Sequence, residues 1–459
     1  MKLYNTLSRT KEDFRSIEDK KVKLYTCGPT VYDVPHIGNL RCYIFEDVLK
    51  RSLLYNNYKV KHVMNITDVG HLTSDADTGE DKMEKSARKK KKSPYEIAEF
   101  YTKIFQENLK RLNVLEPDIW CKATDHIKDQ IELIKRIEEK GLTYKIKDGI
   151  YFDTSKFPDY GKLARLDIKG LKAGARIKMV KGKKNITDFA LWKFSPKDKK
   201  RLMEWDSPWG KGFPGWHLEC AAMSGKYLGI PFDIHCGGIE HIPVHHTNEI
   251  AEAEAAFGKK FVNFWLHCAH LKVEGGKMAK SLGNFFTLED VIQKGFSPIT
   301  FRYLCLSAHY RSSLNFTWKG MKAIQNTLNN LYETISAYKK VSKKSSRSWE
   351  ERFEKAINDD LNTPLLLSLL WALIRSSIKE PIKLNLLFKI DKVLGLNLKE
   401  TWRAVRKIPK RVVTLVNKRE RVRKKGNWKE ADKVRRELKK IGWHVEDTVD
   451  GPKIKKIMR

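Results

Sequence analysis

The sequence predicts an α/β fold: a doubly wound parallel nucleotide-binding sheet with an insertion, followed by an α-helical bundle and a small basic C-terminal domain. Three observations predict it. Strand and helix patterns alternate over the first 120 residues and resume near residue 232, short strands and turns interrupt them in between, and the chain turns helical beyond Pro298 before basic charge accumulates at its end. With 459 residues and 41% hydrophobic content, the chain is too long for one core and apolar enough to fold, so several domains are expected. Their boundaries are placed at 1–120 and 194–298 for the two halves of the sheet domain, 121–193 for a connective insertion, 299–400 for a helical bundle and 401–459 for the basic domain.

Residues 22–26 read as a short strand, Cys27-Gly28-Pro29-Thr30 as a turn, and Leu40, Ile44 and Val48 recur at helical spacing after Gly38. A second strand over 60–66 and a helix over 94–112 continue the parallel winding. A helix over 125–140 is followed by turns at Gly149, Asp159-Tyr160-Gly161 and Gly170, the insertion. The strand Phe232-Asp233-Ile234-His235 and a helix over 242–257 resume the sheet, and the lysine loop at 277–281 closes this half. Leu304, Leu306, Leu328 and Leu331 mark the bundle, and the polar stretch 339–352 is read as an exposed connection or the end of a solvated helix. The tail combines one charged helix over 419–438 with a strand-like end, Trp443-His444-Val445. No internal repeat is present, and the lysine-rich run at 88–92 reads as a solvated loop.

Charge narrows the function. Lys plus Arg number 90 against 56 for Asp plus Glu, a net +34, and the last 59 residues hold 21 against 7, or +14. That concentration points to a polyanionic partner, nucleic acid above all. No apolar run approaches the roughly 18 residues of a membrane helix, and Met1-Lys2-Leu3-Tyr4-Asn5 lacks a signal-peptide core, so a cytoplasmic protein without a membrane partner is expected. Seven cysteines scattered through the chain do not form a disulfide framework, which leaves metal ligation and plain burial.

Two constellations carry chemistry. His36, in Pro35-His36-Ile37-Gly38-Asn39, sits where a strand-end loop meets a helix N-terminus, whose unpaired backbone N–H groups favour anions. Lys277 and Lys280, in Gly276-Lys277-Met278-Ala279-Lys280-Ser281, are placed to fold over a triphosphate, although each segment by itself also fits an ordinary turn or surface loop. In the second constellation His245 and Glu249 lie four apart on one helix face, a spacing that by itself also fits surface pairing. With Cys27 at a strand end and Cys220 after Gly215-Trp216-His217 they make a chemically reasonable zinc set, since thiolate favours zinc over magnesium or calcium.

The chain resembles the cysteinyl-tRNA synthetase family, of class I, over essentially its whole length. The resemblance runs through the two ATP-handling segments, residues 25–32 around Cys27, Asn65-Ile66-Thr67-Asp68, residues 188–193, Pro214-Gly215-Trp216-His217-Leu218-Glu219-Cys220 and His245-His246-Thr247-Asn248-Glu249. It implies ATP-dependent formation of cysteinyl-adenylate from L-cysteine and transfer to the 3′ end of tRNA(Cys), by a monomer using one Zn²⁺ per subunit and ATP with Mg²⁺. By the resemblance His36, Asn39, Lys277 and Lys280 are catalytic, and Pro29, Thr30, Gly38 and Ser281 join them around ATP. Cys27, Cys220, His245 and Glu249 are the zinc ligands, and the metal takes the substrate thiolate. Thr67, Trp216 and His235 join Cys27 around the substrate cysteine; read alone, Trp216 is a core aromatic and His235 a strand-end histidine.

Arg423, Asp432 and Asp447 match the family's anticodon-reading region, where a carboxylate accepts from base amino groups; ordinary helix salt bridging is the other reading of each. The chain departs from the commoner pattern at Val69-Gly70-His71, Cys236, Glu240, Thr247 and Ala279, none of them a zinc ligand or ATP-facing lysine. Two rivals keep part of this pattern: a ligase joining cysteine to an amino sugar, which lacks the RNA-reading tail, and a zinc-stabilised RNA-binding protein without catalysis.

Overall fold

The computed structural model describes residues 1–71, 81–166, 180–196, 201–276, 278, 283–406, 409–448 and 451–456, and these form two compact units. The first comprises 1–287, 308–315 and 356–362, and its centre is a five-stranded sheet. Strands β1 (Lys21–Thr26), β2 (Lys59–Ile66) and β3 (Ile119–Lys122) alternate with helices α1 (Ile37–Tyr55) and α2 (Pro94–Arg111). After α3 (Ile127–Glu139) the chain makes an antiparallel sheet of β4 (Thr143–Ile146), β5 (Gly149–Phe152), β6 (Phe189–Phe194) and β7 (Gly212–Pro214). Helix α4 (Leu218–Leu228) leads to β8 (Phe232–Gly238), and α5 (His245–Phe257) to β9 (Val262–Cys268).

The central order is β9-β8-β1-β2-β3, every pair parallel. The chain therefore winds outward from β1 to β3 on one side and returns on the other through β8 and β9. Between β1 and β8 the winding reverses, and at such a switch point the loops leaving the carboxyl ends of neighbouring strands diverge and open a crevice. Cys27 is the first residue beyond β1, and its N–H donates to Cys236 O in β8 at 3.1 Å. All seven residues of β8 are buried, as expected of a parallel strand covered on both faces.

The second unit, 288–307, 316–355 and 363–459, is mostly helical, with α6 (Pro298–Leu306), α7 (Trp318–Ala337), α8 (Arg347–Asn358, whose last turn lies in the first unit), α9 (Thr363–Arg375), α10 (Glu380–Leu394) and α11 (Leu398–Arg406). Of the polar stretch 339–352, the residues from Arg347 onward are thus helical. Its end is a small module of α12 (Lys410–Lys424), α13 (Trp428–Lys440) and the antiparallel pair β10 (Trp443–Thr448) and β11 (Gly451–Lys456) around Val412, Val416, Val434, Leu438, Trp443 and Val445.

The single charged helix expected over 419–438 is corrected to two. The chain breaks at Gly426, whose φ of +72° is a left-handed backbone that glycine adopts without strain, and Asn427 starts the next helix by accepting from the Glu430 N–H at 3.1 Å. Among the described residues no helix is long and apolar enough to cross a membrane, and all seven cysteines are free.

Candidate active site

The crevice between β1 and β8 holds a cavity of about 300 Å³, walled by the 27–36 loop, the start of α1, Asn65 near the end of β2 and Thr67 just beyond it, Trp216, and the starts of α4 and α5. Three elements converge on its floor. Cys27 comes from the end of β1, Cys220 from the first turn of α4, and His245 and Glu249 from successive turns of α5. The four ligand atoms all lie within 4.8 Å of one another, and all four residues are buried.

These separations test whether the residues suit a metal. A tetrahedral zinc with bonds of about 2.0–2.3 Å holds its ligand atoms about 3.3–3.8 Å apart. Cys27 Sγ lies 3.9 Å from Cys220 Sγ and 4.0 Å from Glu249 Oε1, and His245 Nε2 lies 3.1 Å from Glu249 Oε1. Two sulfurs, an imidazole and a carboxylate at these distances fit zinc in both geometry and chemistry. A second set, Cys27, His235, His246 and Glu249, also lies within 4.8 Å. Its imidazoles do not reach the cavity wall, whereas Cys27, Cys220 and His245 do. A metal that meets a ligand in the cavity therefore belongs to the first set.

The protonation pattern matches a site built for a cation. Burial pushes the Cys27 thiol up, and the neighbouring Cys220 sulfur adds to it. Burial opposes the Cys220 thiolate as well, but the hydrogen bond from Cys27 and the adjacent His245 outweigh it and lower its pKa. Burial likewise disfavours charge on His245 and Glu249, yet Glu249 raises His245 to about 10, while His235 and His245 lower Glu249 to about 2. Protons and charge are thus shared within the cluster, and a bound cation replaces those protons.

His235, expected beside the substrate, lies one layer further back. It is wholly buried, stacks on Trp265 with centroids 4.6 Å apart, and its Nε2 meets Glu249 Oε2 at 2.7 Å. It therefore orients a candidate ligand from outside, as histidine–carboxylate pairs around metals do. Thr67 and Trp216 do line the cavity, and the Trp216 ring lies 4.8 Å from His245.

Further along the wall, His36 is the N-cap of α1. Its Nδ1 accepts from the Asn39 N–H at 3.1 Å while Asn39 Oδ1 accepts from the His36 N–H at 3.2 Å, a reciprocal capping box. An accepting Nδ1 places the neutral ring's proton on Nε2, so the imidazole is a donor at that atom. Gly38 permits the arrangement, since a Cβ there would lie 2.8 Å from His36 Cε1. Pro29, Thr30, His36 and Asn39 all face the cavity. Lys277, Lys280 and Ser281 lie outside the described residues. The chain beside them reaches His36: the Phe285 ring is 5.2 Å from the imidazole, and Phe286 O accepts from the Ile37 N–H at 2.9 Å.

In the C-terminal module, Asp447 accepts from Arg419 Nη1 at 2.8 Å, from Arg419 Nη2 at 2.9 Å and from Arg423 Nη1. Asp432 is exposed on α13. The sequence reading missed Glu219, which is wholly buried beside Cys220, and its partners His71 and Thr67. The available signal was a carboxylate inside the apolar helix start Leu218-Glu219-Cys220-Ala221, since buried carboxylates occur with partners.

With this geometry in place, comparison with known families matches residues 13–326 to the class I (C) tRNA synthetase catalytic domain and residues 406–452 to the cysteinyl-tRNA ligase anticodon binding domain. The chain is 50% identical to cysteine-tRNA ligase 1 of Burkholderia lata over 454 residues, covering 98% of this chain and 96% of that protein. It is 39% identical to the cysteine-tRNA ligase of Thermococcus gammatolerans over 486 residues, covering 100% and 99%. The methionyl-tRNA synthetase of Mycobacterium tuberculosis bound by methionyl-adenylate superposes with a TM-score of 0.59 over 85% of this chain and 95% of that one, at 14% identity, a likeness of fold.

Proposed function

The chain belongs to the cysteinyl-tRNA ligase family, and we propose that its Cys27, Cys220, His245 and Glu249 hold a zinc ion that selects the substrate by its thiol. It is an enzyme, a cysteine-tRNA ligase that uses ATP to activate L-cysteine and passes the cysteinyl group to tRNA. The amino-sugar ligase and the inactive RNA-binding protein are not favoured, because both the catalytic and the anticodon-binding family matches are present. The observation that carries the zinc reading is the convergence of four zinc-compatible ligand atoms within 4.8 Å, three of their residues on the cavity wall.

Zinc bound there stabilises a thiolate at neutral pH far more readily than an alkoxide, a distinction that shape cannot make between cysteine and serine. The chain's own residues do the rest. Cys27, Thr67 and Trp216 enclose the amino acid, and His235 holds Glu249 in place. His36 donates from Nε2, at the start of α1, to the phosphate charge that grows during adenylate formation. Asn39 keeps that imidazole oriented. Pro29, Thr30 and Gly38 shape the ATP wall, and Lys277, Lys280 and Ser281 supply two cations and a hydroxyl to ATP and its Mg²⁺. Arg423, Asp432 and Asp447 read the tRNA(Cys) anticodon, and the enzyme acts as a cytoplasmic monomer with the five-part organisation set out from the sequence.

The test is charging of total cellular tRNA with labelled cysteine at pH 7 beside an identical reaction with serine, with metal content measured on the same sample. Charging with cysteine alone and about one zinc per chain is the expected result. Equal charging with serine, or full activity in a zinc-free preparation, overturns the metal-based selection.

A further inference from the structure

One run of hydrogen bonds on the cavity wall has a fixed polarity. The Gly28 backbone N–H, which can only donate, points at Asn65 Oδ1 at 2.7 Å. That fixes the Asn65 amide, whose Nδ2 then donates to Thr67 Oγ1 at 3.1 Å. The Thr67 hydroxyl in turn donates to Glu219 Oε2 at 2.7 Å. Glu219 is wholly buried, and its other oxygen, Oε1, is bonded to His71 Nε2.

A hydroxyl has one proton and two lone pairs. The Thr67 proton goes to Glu219 and one lone pair accepts from Asn65, so one lone pair remains. Thr67 lines the cavity, and a group that meets it there must be a donor. Of the groups on a cysteine substrate, the thiol is directed to the metal and the carboxylate only accepts. The ammonium alone donates.

We propose that Glu219, held by His71, is a positioning residue that makes Thr67 an acceptor, so that the pocket reads the α-ammonium group of its substrate. This rests on the reading of the cavity as the cysteine site. Replacing Glu219 by Gln puts an amide in the carboxylate's place, and its N–H₂ can donate to Thr67 and free the hydroxyl proton to face the substrate.

The test compares cysteine with 3-mercaptopropionate, which keeps the thiol and carboxylate and lacks the amine. Both are measured in cysteine-dependent ATP/pyrophosphate exchange, cysteine as substrate and the analogue as competitive inhibitor, on zinc-containing full-length enzyme. In Glu219→Gln the apparent affinity for cysteine falls about 10- to 100-fold, the range of a hydrogen bond to a charged group, while that for the analogue is nearly unchanged. Because Glu219 adjoins Cys220, zinc content is measured in each variant. Thr67→Val, which keeps the side-chain shape and lies away from the ligand helix, narrows the same preference at full zinc content. Equal weakening of both compounds in zinc-replete Thr67→Val, or an unchanged ratio, overturns the proposal. Wild-type enzyme that fails to activate cysteine sinks instead the premise that this cavity is the cysteine site.

Discussion

Glu249 behind the cavity meets three imidazoles and Asp447 in the C-terminal module two guanidiniums, but the Glu249 side chain is wholly buried whereas that of Asp447 is 44% exposed. The difference decides what each pairing is for. Removing one partner from a buried set leaves an uncompensated charge in a low-dielectric interior, at about 3–5 kcal/mol. Asp447 keeps part of its surface in water although Arg419 is only 5% exposed, so its pairs are partly screened and contribute less, on the order of 1 kcal/mol. The cavity cluster is therefore a rigid site whose members fail together, whereas in the module a buried arginine holds a carboxylate that still reaches the surface.

The largest effect that tests this contrast is expected for Cys220→Ser. Zinc content and cysteine activation should fall together, activation by about 1,000-fold, the upper part of the range for breaking a buried charged set. Metal analysis beside pyrophosphate exchange checks it, and a zinc-free mutant with normal activation would break the comparison at its strongest point. His36→Ala comes next. On the proposed role of His36 as a donor to the developing phosphate charge, adenylate formation should slow about 100-fold with little change in the affinity for cysteine.

Asp447→Asn should act on RNA rather than on chemistry, raising the tRNA KM about 10-fold while pyrophosphate exchange is spared. It also carries a pH signature. The Arg419 guanidinium holds the Asp447 carboxyl below its ordinary range. A depressed folded pKa means stabilisation that is fully present above the unfolded value of about 3.9 and lost as pH falls through the folded value. Wild-type and Asp447→Asn modules should thus differ slightly at pH 7 and converge in acid unfolding below about pH 4. The smallest effect belongs to Gly426→Ala, where a side chain is forced into left-handed backbone. Thermal unfolding should report about 1 kcal/mol, with activation unchanged.

Much of this was legible in the residues because it is local. The strand ending before Cys27, the α1 start at His36 and the one-turn spacing of His245 and Glu249 follow from patterns that a few residues carry. The break at Gly426 was missed because a charged amphipathic pattern runs through it and a single glycine is a weak stop signal. The contact of His235 with Glu249 was not legible: it is the fourth residue of β8, and only the packed sheet shows that its ring meets that carboxylate from behind. Glu219 was overlooked because its one signal, a carboxylate inside an apolar helix start, is weak beside the zinc-ligand pattern that includes Cys220.

By itself the sequence determined most element types, the candidate ligand chemistry and the charge of the C-terminal end, since propensity, side-chain donors and net charge belong to residues. Only the tertiary structure decided which of two overlapping His, Cys and Glu sets faces the cavity, and which way the Thr67 hydroxyl points. Cys27, Cys220 and His245 are separated by 193 and 25 positions. Side chains so distant meet only when the strand order reverses beside β1 and brings α4 and α5 to the same strand end, a long-range packing outcome that no local pattern encodes.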